Sequence, residues 1–249
     1  MNPWPYPRLF AHRGGGSHAP ENTLAAVRLG LSLGYRACEF DVKLSADGEP
    51  WLMHDSTLER TSDGKGSAGD RTWAELSRLD AGTWHSAAFS GEPPPRLEAV
   101  ARALRASGGM ANVEIKPSPG RERETGRAVA QACARLWKGA EVAPLLSSFS
   151  REALLAAREA EPSLPRGWLI ETPGEEDFAW IETIGAVSLH CSHKAVTPAL
   201  VERVHGGGRR LLAWTVNDPD RAEALLSLGV DGLFTDSLLA FAGRFPELR

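Results

Sequence analysis

Hydrophobic and polar positions alternate along the chain with two periods, one typical of strands and one of helices. Nine short hydrophobic or alternating runs predict β-strands at residues 9–12, 37–44, 51–54, 112–116, 145–149, 167–170, 187–191, 211–216 and 232–235. Longer segments with apolar residues at helical spacing predict α-helices at residues 23–33, 97–106, 123–137, 151–160, 197–204 and 219–228. Strands and helices that alternate to the end of the chain indicate a parallel sheet with right-handed crossovers.

The number of these units predicts the architecture. About eight strand–helix units in 249 residues indicate an α/β protein with a (β/α)8 TIM barrel, and a doubly wound open sheet is the alternative. Residues 55–96 contain Gly, Ser, Pro and Trp with little periodicity, and they are too long for an ordinary connection. We therefore expect one domain over residues 1–249, with an insertion at about 55–96 over one end of the barrel.

The second and third predicted strands are expected to form a hairpin. They are joined by SADGEP, in which Asp47-Gly48 is a strong signal for a two-residue turn. Such a turn pairs Ala46 with Glu49, and counting back along both strands places Asp41 directly opposite His54. Opposed residues point to the same face with Cβ atoms about 4.5–5.5 Å apart, so these two side chains are expected to be neighbours.

Polar side chains share one face of two predicted strands. In EFDVKL, Glu39, Asp41 and Lys43 alternate with apolar residues, and Glu114 and Lys116 do the same in VEIK. The outer face of a barrel strand packs on helices, so these polar side chains are expected to face the lumen. Buried carboxylates are costly unless they are paired with, or bind, a cation. The three carboxylates are hard oxygen ligands, which suit Mg²⁺ or Ca²⁺ better than Zn²⁺.

Composition narrows the class of protein further. The chain is 42% hydrophobic, enough for a full core, and Cys38, Cys133 and Cys191 are expected to be reduced and buried. A formal net charge of −4 gives no reason to expect a nucleic-acid partner. No apolar run approaches the roughly 18 residues of a membrane span, and MNPWPYPRLF does not resemble a signal peptide. We expect a cytoplasmic protein without stable membrane insertion.

The stretch LFAHRGGGSHAPENT places His12 and Arg13 beside three consecutive glycines. It lacks the lysine and Ser or Thr of a P-loop and the Gly-x-Gly-x-x-Gly of a dinucleotide site. The glycines are therefore expected to permit a tight backbone turn, and the chemistry is expected to come from the side chains beside them.

These stretches together resemble the glycerophosphodiester phosphodiesterase family, in particular its small cytoplasmic bacterial members. The matching motifs are AHRGGGSHAPENTLAA, EFDVKLSADGEPWLMHDSTLERTSDGKG, VEIKP, WTVN and DGLFTD. They occur in the family's order from residue 8 to about residue 236, and it is the set that is specific, since each motif alone is weak. The resemblance implies a (β/α)8 barrel with a small insertion after the His-Asp motif.

The resemblance also implies roles for individual residues. His12 and His54 are the implied general acid and base, and Glu39, Asp41 and Glu114 the implied ligands of a divalent metal ion. The implied phosphate-binding residues are Arg13 and Lys116. Apart from the resemblance, the position of Trp214 in LLAWTVND on a late strand suits a flat apolar wall for the glycerol moiety, and it equally suits a residue of the barrel core. The implied reaction is hydrolysis of a small-molecule glycerophosphodiester to sn-glycerol 3-phosphate and an alcohol. A phosphodiester anion needs cations at its non-bridging oxygens, and two imidazoles can share the proton transfers at neutral pH.

Other interpretations remain open at this stage. A lysophospholipase D or phospholipase of the same fold is one, and Trp73, Trp84 and Phe89 are the places where it would show exposed apolar surface. A metal-dependent barrel lyase or aldolase is a second, and a catalytically silent binding protein a third. Glu114 with Lys116, or Lys43 with Glu39 and Asp41, can also be read as structural ion pairs. The sequence leaves open the alcohol, the metal and the oligomeric state.

Overall fold

The computed structural model describes residues 4–248, so residues 1–3 and 249 of the expected domain lie outside the described residues. The strands in this part of the chain are β1 (Leu9–Ala11), β2 (Ala37–Leu44), β3 (Pro50–Leu52), β4 (Met110–Ile115), β5 (Leu145–Ser148), β6 (Arg166–Ile170), β7 (Ser188–Ser192), β8 (Arg210–Trp214) and β9 (Gly232–Thr235). All nine predicted strands are confirmed, and their ends differ from the predicted ends by at most two residues.

Eight of these strands are parallel and close into a barrel. β1 pairs with β9 on one side and with β2 on the other, and the order between them is β9-β8-β7-β6-β5-β4-β2. A closed ring has no sheet edge, which confirms the predicted TIM barrel and excludes the doubly wound open sheet. β3 runs antiparallel to β2 and is not part of the ring.

The helices in the described residues are α1 (Leu24–Ser32), α2 (Trp73–Leu76), α3 (Leu97–Ala106), α4 (Glu122–Leu136), α5 (Arg151–Ala160), α6 (Glu175–Thr183), α7 (Pro198–Gly206), α8 (Pro219–Ser227) and α9 (Leu238–Arg244). Short 3₁₀ turns occur at Gly16–His18, Ala68–Asp70, Ala87–Phe89 and Pro246–Leu248. The six predicted helices are confirmed. The sequence pattern does not predict α2, α6 or α9, which are short or weakly amphipathic; α6 buries Asp177 and Ile181.

Side-chain caps fix where several helices begin. The hydroxyl of Thr23 accepts a hydrogen bond from the backbone N–H of Ala26, and that of Thr197 accepts one from Leu200. Both threonines lie inside the predicted helices, but they are N-cap residues, which satisfy backbone donors that the first turn leaves unpaired. The helices therefore start one residue later than the apolar pattern predicts.

The alternation along the strands separates two hydrophobic clusters. Outward side chains such as Phe40, Val113 and Leu211 pack with the helices in the main core. Inward side chains form a second cluster that fills the lumen, with Met110 and Leu145 at the end where the strands begin and Phe10 and Phe234 further along. The lumen is therefore closed by apolar side chains at one end and polar at the other, where the strands end.

The predicted register of the β2–β3 hairpin is wrong by one residue. Leu44 pairs with Pro50 and Val42 with Leu52, so Met53 stands opposite Asp41 and donates its backbone N–H to the Asp41 carbonyl at 3.1 Å. The loop contains three residues, 46–48, because Gly48 takes the left-handed conformation (φ +84°) at its third position. Three-residue loops that end on a left-handed glycine are the next common hairpin after two-residue turns.

Residues 55–96 connect β3 to α3 over the end of the barrel at which the strands finish. They contain α2 and two of the 3₁₀ turns, and Leu58, Ala68 and Leu76 pack with Trp51 and Met53 in a small cluster of their own. The division of the chain into one domain with an insertion at about 55–96 stays a prediction. Among the described residues, none of the helices has both the length and the apolar composition needed to cross a membrane.

Candidate active site

A cavity of about 180 Å³ opens at the end of the barrel where the parallel strands finish. In TIM-barrel enzymes this face carries the active site. Its lining residues are His12, Arg13, Glu39, His54, Asn112, Glu114, Lys116, Phe149, Leu169, Trp214, Thr215 and Phe234. Seven of the eight residues predicted for the site line this cavity, and Asp41 lies among them as the most buried of the three carboxylates.

Strand register brings the three carboxylates together. Asp41 on β2 is the direct neighbour of Glu114 on β4, and Glu39 is two residues earlier on the same face of β2. Each of the three offers an oxygen, and these oxygens all lie within 4.8 Å of one another. A cluster of this kind can hold a divalent cation, which takes carboxylate oxygens as ligands.

The charges of this cluster are only partly balanced. Burial, followed by the charge of Asp41, raises the pKa of Glu39 to about 8 and that of Glu114 to about 7. Burial also works against the charge of Asp41, but Lys116 and Arg13 outweigh it and lower the pKa of this carboxyl. Oε1 of Glu39 is buried without a hydrogen-bond partner. A buried oxygen without a donor and two carboxyls that resist ionisation fit a site for a divalent cation.

His12 follows β1 and is held from the last strand of the barrel. Its Nδ1 lies 2.7 Å from Oδ1 of Asp236, and its Nε2 lies 3.7 Å from Oε2 of Glu39. Burial alone lowers the pKa of His12, but the hydrogen bond to Asp236 and the charges of Glu39 and Asp236 outweigh burial and raise it. This imidazole is therefore biased towards its protonated form.

His54 has the opposite bias. Its Nδ1 lies 2.6 Å from Oδ1 of Asp55, and Nζ of Lys116 lies 3.0 Å from its Nε2. An ammonium group can only donate, so Nε2 accepts and the ring proton sits on Nδ1, which donates to Asp55. Burial lowers the pKa of His54, and Arg13 and Lys116 lower it further against the opposing charge of Asp41. This imidazole is therefore biased towards its neutral form.

Two cationic side chains border the carboxylates. Nζ of Lys116 lies 2.7 Å from Oε1 of Glu114 and 3.6 Å from Oδ1 of Asp41. Nη1 of Arg13 lies 2.7 Å from Oε1 of Glu21, and its Nε lies 3.7 Å from Oδ2 of Asp41. Both cations line the cavity, so they can contact an anion bound there.

Two residues with unusual backbone conformations, Arg13 and Asn22, bond to the carboxylates of the site. Arg13 and Asn22 have positive φ angles, +50° and +59°, which are uncommon for residues other than glycine. The backbone N–H of Arg13 donates to Oε2 of Glu39 at 3.0 Å, and the amide of Asn22 both donates to Asp41 and accepts from its backbone N–H. Gly16 (φ +55°) allows close contact, since a Cβ there would lie 2.2 Å from the carbonyl oxygen of Asp236.

Two aromatic side chains also line the cavity. The rings of Phe149 and Trp214 meet edge to face with centroids 5.6 Å apart. Nζ of Lys116 stands 5.6 Å from the centroid of Phe149. A small polyol phosphate that places its phosphate by Lys116 can therefore lay its carbon atoms against these rings.

The structure separates other histidines from this cavity. Nε2 of His18 faces the backbone N–H of Leu239, and His85 lies in a neighbouring cleft. His190 is fully buried, and its Nε2 lies 2.8 Å from the hydroxyl of Ser188.

Sequence reasoning missed the polar residues around the site. Glu21, Asn22, Asp55 and Asp236 bond directly to site side chains, and Arg60 bonds to Glu21 and Asp55. Asp55 follows His54 directly, and Asp236 directly follows a predicted strand, so strand-end position is the signal that could have found both. Asn22 gives no such signal, because its role depends on a strained turn that the sequence pattern does not show.

Comparison with known proteins agrees with this geometry. The sequence profile of the glycerophosphoryl diester phosphodiesterase family matches residues 12–240. The chain is 33% identical over 232 residues to a glycerophosphodiester phosphodiesterase of Caldanaerobacter subterraneus subsp. tengcongensis, covering 92% of this chain and 93% of that protein. A glycerophosphodiester phosphodiesterase of Bacillus altitudinis is 31% identical and is covered to 94%, with 92% of this chain aligned.

Solved structures give the same result. A phosphodiesterase of Oleispira antarctica in complex with the product sn-glycerol-3-phosphate superposes with a TM-score of 0.90 at 32% identity, covering 97% of this chain and 98% of that one. A glycerophosphodiester phosphodiesterase of Agrobacterium tumefaciens superposes with a TM-score of 0.79 at 27% identity, covering 95% and 99%.

Proposed function

The chain belongs to the glycerophosphoryl diester phosphodiesterase family, and on this premise we propose that it hydrolyses glycerophosphodiesters to sn-glycerol 3-phosphate and an alcohol. One observation carries the proposal: two imidazoles, two cations and three carboxylates converge on a single cavity. The Oleispira antarctica relative, which holds sn-glycerol-3-phosphate, supports the same substrate class. Family membership removes the reason to prefer a lyase, an aldolase or a silent binding protein.

In this proposal Glu39, Asp41 and Glu114 hold a divalent ion, Mg²⁺ or Ca²⁺. A bound divalent ion supplies positive charge for the non-bridging oxygens of the phosphodiester, which stabilises the charge of the transition state. Arg13 and Lys116 are the protein's own cations for the same phosphate group, because both line the cavity and both contact carboxylate oxygens there. Trp214 and Phe149 contact the glycerol carbons.

His12 and His54 share the proton transfers. One imidazole accepts the proton of the attacking hydroxyl, and the other donates a proton to the oxygen of the departing alcohol. When the glycerol 2-hydroxyl attacks, the P–O bond to the alcohol breaks and a cyclic phosphate forms. Water then opens this ring, and the histidines exchange roles. Direct attack by water is the alternative route, and it uses the same two groups.

A second substrate class, lysophospholipids, is supported by one specific observation. Trp84 and Phe149 are large apolar side chains with 41% and 44% of their surface exposed. Phe149 lines the cavity, and Trp84 lines a neighbouring cleft that also contains His12 and Arg13. Exposed aromatic residues at the mouth of a cavity can contact an acyl chain.

One assay tests both classes. Release of glycerol 3-phosphate is measured from glycerophosphocholine, glycerophosphoethanolamine and glycerophosphoinositol with Mg²⁺, Ca²⁺, Mn²⁺ or EDTA, and choline release is measured from lysophosphatidylcholine. We expect metal-dependent release from the glycerophosphodiesters that EDTA abolishes. Release from lysophosphatidylcholine alone would instead favour the lipid substrate, and full activity in EDTA would remove the metal from the proposal.

A cytoplasmic location stays a prediction.

A further inference from the structure

Arg60 joins two carboxylates, Glu21 and Asp55, from separate parts of the chain. Its guanidinium donates to both oxygens of Glu21 at 2.8 Å, through Nη1 and Nη2. It also donates to both oxygens of Asp55, from Nε at 2.6 Å and from Nη2 at 2.9 Å. Arg60 comes from the segment 55–96, whereas Glu21 precedes α1, so one side chain connects two separate parts of the chain.

Each of these carboxylates leads to a residue of the proposed site. Glu21 accepts a hydrogen bond from Nη1 of Arg13 at 2.7 Å, and Asp55 bonds to Nδ1 of His54 at 2.6 Å. The hydrogen bonds therefore run without a gap from Arg13 through Glu21, Arg60 and Asp55 to His54. Arg13 is a proposed phosphate ligand and His54 a proposed acid or base, and Arg60 itself does not line the cavity.

The geometry of Arg60 differs from that of an ordinary surface ion pair. Exposed pairs between one lysine or arginine and one carboxylate contribute little to stability, because water screens them and the side chains lose freedom. Arg60 is 45% exposed, but its planar guanidinium meets two carboxylates at once, and Glu21 and Asp55 are only 12% and 24% exposed. Fork-shaped pairs of this kind fix orientation as well as charge.

We propose, building on the proposed function, that Arg60 is a positioning residue that sets the orientation of both Arg13 and His54 through Glu21 and Asp55. With Arg60 in place, the negative charge of Glu21 is shared between two guanidinium groups, which leaves Arg13 free to bind phosphate. Without Arg60, Glu21 pairs with Arg13 alone and competes with the phosphate. In the same variant Asp55 loses both donors from Arg60, and the His54 ring loses its fixed orientation.

The proposal predicts that loss of Arg60 changes both KM and kcat. An ion pair that only stabilises the fold would change neither constant. Arg60→Met is expected to raise KM for glycerophosphocholine about 10-fold, through Arg13, and to lower kcat about 10-fold, through His54. Adding Glu21→Gln is expected to return KM to within about three-fold of the wild-type value and to leave kcat low, because only the competing charge has been removed.

The matched control is Arg203→Met. Like Arg60, Arg203 donates two hydrogen bonds to a carboxylate and is about half exposed (43%), but it pairs with one carboxylate only, that of Glu175. It lies on α7, outside the cavity, so its loss is expected to leave KM and kcat unchanged. Equal kinetic constants for Arg60→Met and Arg203→Met would overturn the proposal, as would an increase in KM that Glu21→Gln does not reverse.

A spectroscopic signal keeps the test independent of turnover. The Nδ1 proton of His54 in its short hydrogen bond to Asp55 should give a downfield proton resonance, assigned by its absence in His54→Ala. We expect Arg60→Met to lose or shift this resonance and Arg203→Met to keep it.

If the wild-type protein hydrolyses no glycerophosphodiester, the proposed function fails, but this resonance still tests Arg60, and its persistence in Arg60→Met overturns the proposal. If Arg60→Met does not fold, Arg60→Lys cannot make both forked pairs and must show the same effects more weakly; normal constants and a normal resonance there would also overturn it.

Discussion

Nδ1 of His12 lies 2.7 Å from Oδ1 of Asp236, across the seam where β1 pairs with β9 and the barrel closes. Asp236 directly follows β9, and His12 directly follows β1, so the closure of the barrel itself sets the position of this imidazole. A second aspartate, Asp231, directly precedes β9 and bonds to His205 at 2.8 Å. The two ends of one strand therefore carry the same type of pair, with only one of them at the cavity.

This contrast makes a prediction for Asp236→Asn. The substitution removes the charge that favours a protonated His12 and is expected to lower kcat by about 10- to 100-fold with little change in KM. The loss of this charge also lowers the pKa of His12, so the limb of the pH–rate profile that requires protonated His12 moves to lower pH. Asp231→Asn is the control, and a kcat for Asp236→Asn equal to that of the control would contradict the prediction.

The carboxylate cluster predicts opposite stability effects for two of its members. Without metal, Glu39 is ionised only at a cost, since its pKa is raised to about 8, so Glu39→Gln is expected to stabilise the protein by about 1 kcal/mol at pH 7 in EDTA. The pKa of Asp41 is lowered by Lys116 and Arg13, so Asp41→Asn is expected to destabilise it under the same conditions. Urea unfolding in EDTA measures both.

The same variants report on the metal. Glu39→Gln, Asp41→Asn and Glu114→Gln are each expected to weaken binding of the divalent ion and to remove most turnover, and titration calorimetry with Mg²⁺ and Ca²⁺ measures the first effect. Adding the ion should raise the melting temperature of the wild-type protein more than that of any variant. Unchanged metal affinity in all three would place the ion elsewhere.

The sequence predicts most of the fold because strand alternation and helical spacing are local properties. The same alternation puts Glu39, Asp41 and Glu114 on one face, and the parallel register of β2 and β4 then makes Asp41 and Glu114 neighbours. These patterns do not determine the hairpin register, because Asp47-Gly48 suits both a two-residue and a three-residue loop. His54 reaches the cavity although the predicted register is wrong, because β3 ends at Leu52 and the chain turns after it.

The support around the histidines could not be predicted from one sequence. Asp236 meets His12 only because β9 closes onto β1, 224 residues away in the chain, and no spacing rule indicates that contact. Asn22 and Arg13 reach Asp41 and Glu39 through backbone conformations with positive φ, which are uncommon for residues other than glycine and which no local pattern in the sequence indicates. α6 and α9 were missed for a simpler reason, since neither presents a long apolar stripe.

His190 predicts how stability depends on pH. Burial lowers its pKa from 6.5 to about 3, so the folded state keeps this imidazole neutral while the unfolded chain takes up a proton below pH 6.5. Folded-state stability is therefore lost as pH falls from 6.5 towards 3. Between pH 7 and pH 5 this single group accounts for a loss of about 2 kcal/mol.

The measurement is urea unfolding of the wild-type protein and His190→Gln at pH 7, 6 and 5. His190→Gln removes this titration, so its stability should fall less steeply than that of the wild-type protein, even though the variant is less stable at pH 7 through loss of the bond to Ser188. Parallel stability curves for the two proteins would show that His190 is not kept neutral in the folded state.

The last prediction separates His12 and His54 from the other histidines. If both transfer protons, His12→Ala and His54→Ala should each lower kcat by roughly 10²- to 10⁴-fold while the metal still binds. The double variant should lose far less than the product of the two effects, because an acid and a base that serve one transition state act as a unit. His18→Ala and His205→Ala are the controls, since neither side chain lines the cavity, and both should keep near-normal rates.

A nitrophenyl ester of glycerol phosphate then assigns the roles, because a nitrophenolate needs no proton as it leaves. This substrate should restore the rate of the variant that lacks the general acid and leave the variant that lacks the general base impaired. Restoration of both variants, or of neither, would show that the two imidazoles do not divide the work as acid and base.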